Sequence, residues 1–281
     1  MIGIFSCIFS LPVYILVNSS EETILPNDPF LNHTDIPWLN DFVIEDIFPV
    51  GEIHLIAGAS GAGKTTWLIK LIESWMHGNS VFGHKSHSRP FVYISGDRSD
   101  AGIRRTFNRV GVDYKKIPIY SLKPADRTLS FVDVLKKLKA IQPDLEVFFV
   151  EGIAARVPNG KLNDYNIVSN FLLDLQDFCA QNGATVIGVI HTAKTKEGES
   201  YQDPRQKALG SVGWAGYSET IVLVETTEAD RPDLQTRRIT ILPRNFKAEI
   251  FQLEFGAEGH LVEIKKPEAV SPGTWEKIKK Q

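Results

Sequence analysis

The chain has 281 residues, 43% of them hydrophobic, which allows one large domain or two small ones with a substantial buried core. Its formal net charge of -3 at pH 7 excludes a protein that binds polyanions over its whole surface, so any nucleic-acid contact needs a local basic patch. The two cysteines, Cys7 and Cys179, lie outside any CxxC or Cys/His cluster, which indicates neither a disulfide framework nor a zinc site.

The N-terminal stretch MIGIFSCIFSLPVYILV is apolar and uncharged. It lacks the basic leader of a signal peptide, is shorter than the roughly 20 residues of a spanning helix, and is interrupted by Pro12. Three interpretations stay open: an extended or mis-assigned start, a membrane anchor, and a cleaved signal. We expect an apolar and then flexible extension over 1–35, one domain over 36–266, and a polar tail over 267–281. The rest of the chain is typical of a cytoplasmic protein without membrane association.

From about Ile36 onward, short β-branched apolar runs alternate with amphipathic stretches, a pattern typical of a parallel sheet covered by helices. The predicted strands cover 53–57, 91–95, 117–121, 146–150, 185–190, 220–224 and 237–242. Helices are predicted between the early strands. The clearest covers 164–181, where apolar residues recur at helical spacing and Asn182 and Gly183 close the end. After Glu225, strand-like runs follow one another with turn-like links, which predicts an antiparallel edge.

The stretch AGASGAGKTT matches the Walker A pattern G-x-x-x-x-G-K-T, directly after a predicted strand and directly before a predicted helix. Its glycines let backbone N–H groups face phosphates, and the helix N-terminus adds its positive dipole end. Lys64 is expected to neutralise phosphate charge, and the Thr65 hydroxyl to ligate Mg²⁺. The predicted ATP-binding residues are Gly58, Ala59, Ser60, Gly61, Ala62, Gly63, Lys64, Thr65 and Thr66.

Nucleotide hydrolysis also needs one carboxylate for the metal's water shell and one that orients or deprotonates the attacking water. The apolar strand VFFV delivers Glu151 to the carboxyl end of the sheet, which predicts the metal-shell role. The strand FVYIS is followed by Gly96 and Asp97 at the same rim, so Asp97 is a candidate for positioning the water. The alternative for Asp97 is a helix N-cap, a role for which Ser99 and Asp100 compete.

Taken in order, the motifs AGASGAGKTT, FVYISGDRS, VFFVEGI, VIGVIHTAK and RQKALGS resemble those of the RecA-like ATPases. Within them the chain is most similar to the AAA_25 group, which includes RepA-like plasmid helicases and is related to DnaB-type helicases and KaiC. The resemblance covers roughly residues 36–264. It implies a RecA-like three-layer α/β fold with a mainly parallel central sheet, helices on both faces and an antiparallel C-terminal edge, and an enzyme that hydrolyses ATP with Mg²⁺.

The resemblance also implies roles for single residues. Asp97 lies where the family usually has its catalytic glutamate, and Glu151 where it usually has the metal-shell aspartate, so both acids depart from the usual choice. His191 lies where a polar sensor follows the next strand, with a structural strand-end histidine as the alternative. Arg244, beside Lys247, lies where RecA-like rings place a cation that reaches the γ-phosphate of the neighbouring subunit. A basic strand end exposed to water is the alternative there.

The polar segment 191–211 connects two predicted strands, and by the same resemblance it faces the central channel of a ring and contacts single-stranded DNA. The residues predicted to contact nucleic acid, through positive charge or base stacking, are Lys194, Lys196, Tyr201, Arg205 and Lys207. Interspersed acidic residues favour the alternative of an ordinary solvated loop. Because RepA-like relatives carry an arginine before the GS of this loop, Arg205 and Lys207 compete with Arg244 for the role of the trans cation.

The leading interpretation is therefore a RecA-like motor that hydrolyses ATP with Mg²⁺ as a homo-oligomer, in a hexameric ring. A RepA-like replicative DNA helicase or loader, working with other replication proteins on single-stranded DNA, fits this description. The alternative is a KaiC-like regulatory ATPase that switches protein contacts without nucleic acid.

Overall fold

The computed structural model describes residues 38, 40–96, 98–192, 205, 212–226, 236–255 and 261–269. The strands are β1 (Phe42–Ile44), β2 (Phe48–Pro49), β3 (Ile53–Gly58), β4 (Phe91–Ser95), β5 (Ile119–Ser121), β6 (Val147–Glu151), β7 (Thr185–His191), β8 (Thr220–Thr226), β9 (Thr236–Pro243), β10 (Glu249–Phe255) and β11 (Leu261–Ala269). The α-helices are α1 (Lys64–Met76), α2 (Asp100–Val110), α3 (Phe131–Ile141), α4 (Tyr165–Asn182) and α5 (Val212–Tyr217).

Nine of the described strands form one sheet, in the order β11-β10-β9-β8-β3-β7-β6-β4-β5. The strands from β8 to β5 are parallel to one another. The last three strands of the chain, β9 to β11, extend the sheet beyond β8 in antiparallel fashion. The predicted fold class, a mainly parallel sheet with an antiparallel C-terminal edge, is confirmed.

Helices cover both faces of this sheet, so the central strand β3 is buried at every position. On one face, Trp75 of α1 packs edge-on against Phe149 of β6, with ring centroids 5.5 Å apart. On the other face, Phe178 of α4 packs against Phe148, with ring centroids 5.8 Å apart. Because successive strand residues point to opposite sides, neighbouring residues of β6 serve two separate cores.

The predicted strands match observed ones, with one instructive difference. The run predicted at 117–121 is strand only over Ile119–Ser121. Pro118 has no N–H for the ladder and contributes only its carbonyl oxygen, which accepts from the Tyr93 N–H at 2.8 Å. The predicted helix 164–181 is α4, and Gly183 closes it in the left-handed region at φ 57°. The pair formed by β1 and β2 was not predicted, because each strand is too short to show a pattern.

The predicted domain limits stay predictions. Residues 1–35, with the apolar N-terminal stretch, lie outside the described residues, as does the tail from residue 270 onward. The strand β11 continues to Ala269, past the expected domain end at residue 266. No helix in the described ranges is both long and apolar enough to cross a membrane.

His54 lies in the middle of β3 and is fully buried. Its Nε2 donates to the carbonyl oxygen of Pro49 at 2.9 Å, and its ring packs against Phe48 with centroids 4.9 Å apart. Burial lowers the pKa of His54 to about 4, against a smaller opposing effect of the Pro49 hydrogen bond. The imidazole is therefore neutral in the folded protein at pH 7.

We expect His54 to make the fold sensitive to mild acid. Its pKa is lower in the folded chain than the ordinary value of 6.5, so its contribution to stability is present above pH 6.5 and is lost as the pH falls toward 4. Between pH 7 and 5 this loss amounts to about 2 kcal/mol. Urea unfolding of wild type and His54→Gln at the two pH values measures it. His77→Gln, at an exposed histidine, is the control and is expected to lose as much unfolding free energy between pH 7 and 5 as the wild type. The same loss in His54→Gln would contradict the expectation.

Candidate active site

The segment between β3 and α1 forms a tight loop at the carboxyl end of the central strand, and residues 59–61 are exposed. Gly61 and Gly63 have φ angles of 80° and 93°, which residues with a Cβ rarely adopt. A Cβ on Gly58 would lie 2.4 Å from the backbone oxygen of Val224. The loop therefore requires glycine at these three positions of the Walker A pattern.

Lys64 is the first residue of α1 and is buried. Its ammonium group donates to the carbonyl oxygens of Gly58 at 2.9 Å and Ala59 at 2.8 Å. The same nitrogen lies 3.4 Å from Nδ1 of His191. The side chain is thus folded back over its own loop, and its positive charge is held at the segment that binds phosphate in P-loop proteins.

Thr65 and Glu151 meet beside this lysine. The Thr65 hydroxyl donates to Oε1 of Glu151 at 2.7 Å, and the Tyr93 hydroxyl donates to Oε2 at 2.8 Å. Glu151 is buried, so these contacts fix the orientation of its carboxylate. Tyr93 was not predicted as a site residue. The pairing of the two strands could have indicated Tyr93. It pairs with Phe149, which lies two residues before Glu151 on the same face of the neighbouring strand.

The donor set fits a magnesium ion. Mg²⁺ takes hard oxygen ligands, and in nucleotide sites it is held by one or two protein oxygens together with phosphates and water. Thr65 and Glu151 supply such oxygens side by side. Within the described part of the chain, no group of three His, Cys, Asp or Glu residues is placed to hold a metal. We therefore expect the ion to enter together with a nucleotide.

Arg98 is a second site residue that the sequence pattern did not single out. Its Nε lies 3.2 Å from Oε1 of Glu151, and its Nη1 donates to the Thr106 hydroxyl at 3.0 Å. The arginine side chain is 39% exposed. A positive charge therefore stands directly at the predicted metal-shell carboxylate.

Asp97 lies outside the described residues, and its predicted role stays a prediction. Its neighbours support two parts of the reasoning. A Cβ on Gly96 would lie 2.9 Å from the backbone oxygen of Glu151, so glycine allows the ends of β4 and β6 to approach closely. The N-cap of α2 is Ser99, whose hydroxyl accepts from the Gly102 N–H at 3.2 Å. The cap does not need Asp97.

His191 is the last residue of β7 and is exposed. It pairs in parallel register with Gly58, the first glycine of the loop, and the next residue, Thr192, donates its N–H to the Gly58 carbonyl oxygen at 3.1 Å. Together with the contact between its ring and Lys64, this places His191 at the phosphate loop. Its role as a sensor stays a prediction.

Arg244 lies at the amino end of the parallel strands, opposite the carboxyl end that carries the loop. It follows β9, and its guanidinium donates to the carbonyl oxygen of Gly216 and, at 3.4 Å, to that of Ser218. Its Nε lies 3.8 Å from Oε2 of Glu219. Since Glu219 and Val224 are separated by roughly 17 Å along β8, Arg244 cannot reach the phosphate loop of its own chain. Lys247, close behind it, is exposed.

Arg244 also balances acidic groups at this edge. Burial raises the pKa of Glu52, the charge of Glu219 raises it further, and Arg244 lowers it. This supports a structural part for Arg244 in its own subunit. The role of Arg244 as a cation that acts on a neighbouring subunit stays a prediction.

Arg205 lies beside Arg244. Its two terminal nitrogens donate to the carbonyl oxygens of Leu242 at 2.9 Å and Ser218 at 2.5 Å. Arg205 and Arg244 therefore share the Ser218 carbonyl, which brings two rival candidates for the trans cation to one place. The other predicted nucleic-acid contacts, Lys194, Lys196, Tyr201 and Lys207, lie outside the described residues.

Arg237, at the start of β9, was not predicted and contacts the phosphate loop directly. Its Nε donates to the carbonyl oxygen of Ala62 at 2.9 Å. Burial lowers the pKa of Arg237. The TRRITIL pattern shows only a strand that begins with basic residues. The contact arises because Arg237 pairs with Thr226 at the end of β8 that lies near the loop.

Comparison with known proteins agrees with this geometry. The AAA_25 family, described as an AAA domain, matches residues 34–197 of the chain. The chain belongs to the AAA_25 family. The resemblance inferred from the motifs is confirmed at the level of a RecA-like P-loop ATPase. The AAA_25 match contains the phosphate loop, Glu151 and His191, whereas Arg205, Arg237 and Arg244 lie beyond it.

Among solved structures, this AAA_25 protein is similar to a KaiC-like protein from the hyperthermophilic archaeon Pyrococcus horikoshii OT3. The TM-score is 0.53 at 18% sequence identity, covering 79% of this chain and 94% of that one. At this identity the likeness shows the RecA-like fold. No curated protein matches the chain.

Proposed function

We propose that this chain is a ring-forming ATPase that hydrolyses Mg²⁺-ATP and acts on single-stranded DNA as a RepA-like replicative helicase or loader. The observation that carries the ATPase part is the meeting of Lys64, Thr65 and Glu151 at the phosphate loop. The reaction is in-line attack of water on the γ-phosphorus, which yields ADP and phosphate. Thr65 and the water shell served by Glu151 would hold Mg²⁺, which would supply positive charge to offset the charge that develops on the phosphate oxygens.

Each residue of the loop region has a distinct part in this proposal. Lys64 turns from the carbonyl oxygens of its own loop to the phosphates, and Thr65 supplies a hydroxyl oxygen to the metal. Glu151 serves the metal's water shell rather than deprotonating water, since the Tyr93 hydroxyl holds Oε2 and Oε1 faces Thr65. The task of orienting the attacking water then falls to Asp97, and His191 reports the presence of the γ-phosphate from its position next to Lys64.

In the proposed ring, the cations at the amino end of the parallel strands act on the neighbouring subunit. Arg205 and Arg244 both bind the Ser218 carbonyl, at the edge of the sheet opposite the phosphate loop. The proposal requires a head-to-tail ring in which that end of one subunit faces the nucleotide of the next. A cation supplied in trans stabilises the transition state and makes hydrolysis depend on assembly.

We expect subunit mixing to test the shared site. Lys64→Ala subunits lack a working loop but keep their cations, and Arg244→Ala subunits keep their loop but lack one cation. Each variant alone is expected to lose most ATP turnover, by about 100-fold or more. Mixed rings regain part of it, because some interfaces combine an intact loop with an intact Arg244. A mixture with only the summed activity of its two parts would rule out an Arg244 that acts in trans.

The nucleic-acid part is tested by measuring ATP turnover with and without a single-stranded oligonucleotide. A motor that pulls on DNA is expected to hydrolyse ATP several-fold faster with DNA, since strand contact orders the loop that couples to the site. The regulatory alternative draws support from the likeness in fold to a KaiC-like protein. The regulatory alternative is favoured if no nucleic acid tested changes the rate of ATP turnover and a protein partner does change it.

A further inference from the structure

The carboxylate of Glu151 has a resident counter-ion. Its side chain is 3% exposed, and a buried carboxylate is costly unless opposite charge or hydrogen bonds compensate it. The hydroxyls of Thr65 and Tyr93 are neutral donors. The guanidinium of Arg98, with Nε 3.2 Å from Oε1, supplies positive charge. Arg98 thus compensates the charge of Glu151, as a bound cation would.

The Arg98 guanidinium is held in a way that allows it to leave. Its side chain is 39% exposed, so water can solvate it in another position. Its second contact is the Thr106 hydroxyl, which has its own acceptor in the Gly102 carbonyl oxygen at 3.0 Å. When the arginine leaves, the Thr106 hydroxyl therefore keeps a hydrogen bond. The backbone beside it is fixed independently, because Ser99 caps α2.

Arg98 and the predicted metal ligand converge on one oxygen. Oε1 of Glu151 accepts the Thr65 hydroxyl at 2.7 Å and faces Arg98 Nε at 3.2 Å. A divalent cation placed next to Thr65 would stand within a few ångströms of the guanidinium, and like charges at that distance repel. The metal and Arg98 cannot both use this oxygen without cost.

We propose that Arg98 competes with magnesium for Glu151 and thereby sets the magnesium concentration at which the site accepts a metal–nucleotide complex. Arg98 is a positioning residue in this inference, since it acts through Glu151. The inference rests on the proposed ATPase function, whose site it regulates. Its physical effect is to keep the buried carboxylate compensated while the site is empty and to raise the threshold for metal entry.

The test measures binding of a fluorescent ADP over a range of Mg²⁺ concentrations that starts in EDTA. ADP is used because it has no γ-phosphate, so direct contact between Arg98 and that group is excluded. Removing the competitor by Arg98→Ala is expected to lower the Mg²⁺ concentration for half-maximal binding by about tenfold, the size of one charge-assisted hydrogen bond. Arg98→Lys keeps the charge and shifts the midpoint much less. The exposed Arg105→Ala, on α2, is the matched control with the wild-type midpoint.

A double-variant cycle separates this role from a merely structural one. In a Glu151→Gln background there is no carboxylate to compete for, so Arg98→Ala is expected to leave the Mg²⁺ midpoint where it is. Circular dichroism confirms that each variant is folded. A midpoint that is unchanged or raised in Arg98→Ala alone, with ADP still bound, overturns the competition and leaves the ATPase proposal intact. Absence of ADP binding to the wild type at every Mg²⁺ concentration overturns both.

Discussion

Replacing Lys64 with alanine is expected to lower ATP turnover by about 100- to 1,000-fold, the usual cost of removing a main electrostatic contact to the reacting group. The lysine ammonium is held at the loop by the carbonyl oxygens of Gly58 and Ala59, from which it can turn to a bound phosphate. Phosphate release from ATP measures turnover, and calorimetry with ADP measures binding.

The matched control for this change is Lys136→Ala on α3. Lys136 is exposed and its helix packs on the face of the sheet away from α1, so turnover should stay at the wild-type rate. Lys64→Ala is also expected to unfold at nearly the wild-type temperature, because the Lys64 ammonium bonds to carbonyl oxygens of the loop and lies near the His191 ring at the exposed end of the strands. Full turnover in a folded Lys64→Ala protein would remove the basis for the proposed chemistry.

Replacing Glu151 with glutamine is expected to lower turnover by about 100-fold or more while ADP still binds. Glutamine keeps the length of the side chain, and the hydroxyls of Thr65 and Tyr93 can rotate to bond with an amide. What is lost is the negative charge to which we assign the metal-shell role. The fall should therefore appear in kcat, together with a weaker response of nucleotide binding to Mg²⁺.

Asp177→Asn, an exposed acid of α4, controls for a general loss of negative charge and should leave both quantities unchanged. If Glu151→Gln lost ADP binding altogether, Glu151 would instead support the loop itself. If it kept full turnover, the metal-shell role would have to pass to another residue.

The phosphate loop and its acidic partner could be predicted because local rules fix them. The spacing of Gly58, Gly63 and Lys64 places a strand, a turn and a helix start in sequence, and only glycine tolerates the turn. A polar residue directly after a buried parallel strand lies at the carboxyl edge of the sheet whatever the strand order. These rules brought Glu151 and His191 to the loop without knowledge of the tertiary structure.

The cations around the loop could not be predicted in the same way. Arg98 reaches Glu151 because β4 and β6 are neighbours, and Arg237 reaches Ala62 because β9 pairs antiparallel with β8 in one register. A slip of one residue in either pairing would turn Glu151 or Arg237 to the other face of the sheet. Register and strand order are properties of the whole sheet, so they cannot be predicted from a local motif.

One end of β9 contacts the phosphate loop, and the other end leads to the residue that we propose acts on a neighbouring subunit. At one end Arg237 holds the Ala62 carbonyl of the subunit's own loop, and just past the other end lies Arg244. A strand of this length, hydrogen-bonded on both sides, behaves as a stiff rod of roughly 26 Å. In an assembled ring, a small displacement of one loop on product release would travel along that rod to the adjoining protomer. If the proposed ring forms, this strand would couple hydrolysis in one subunit directly to the next.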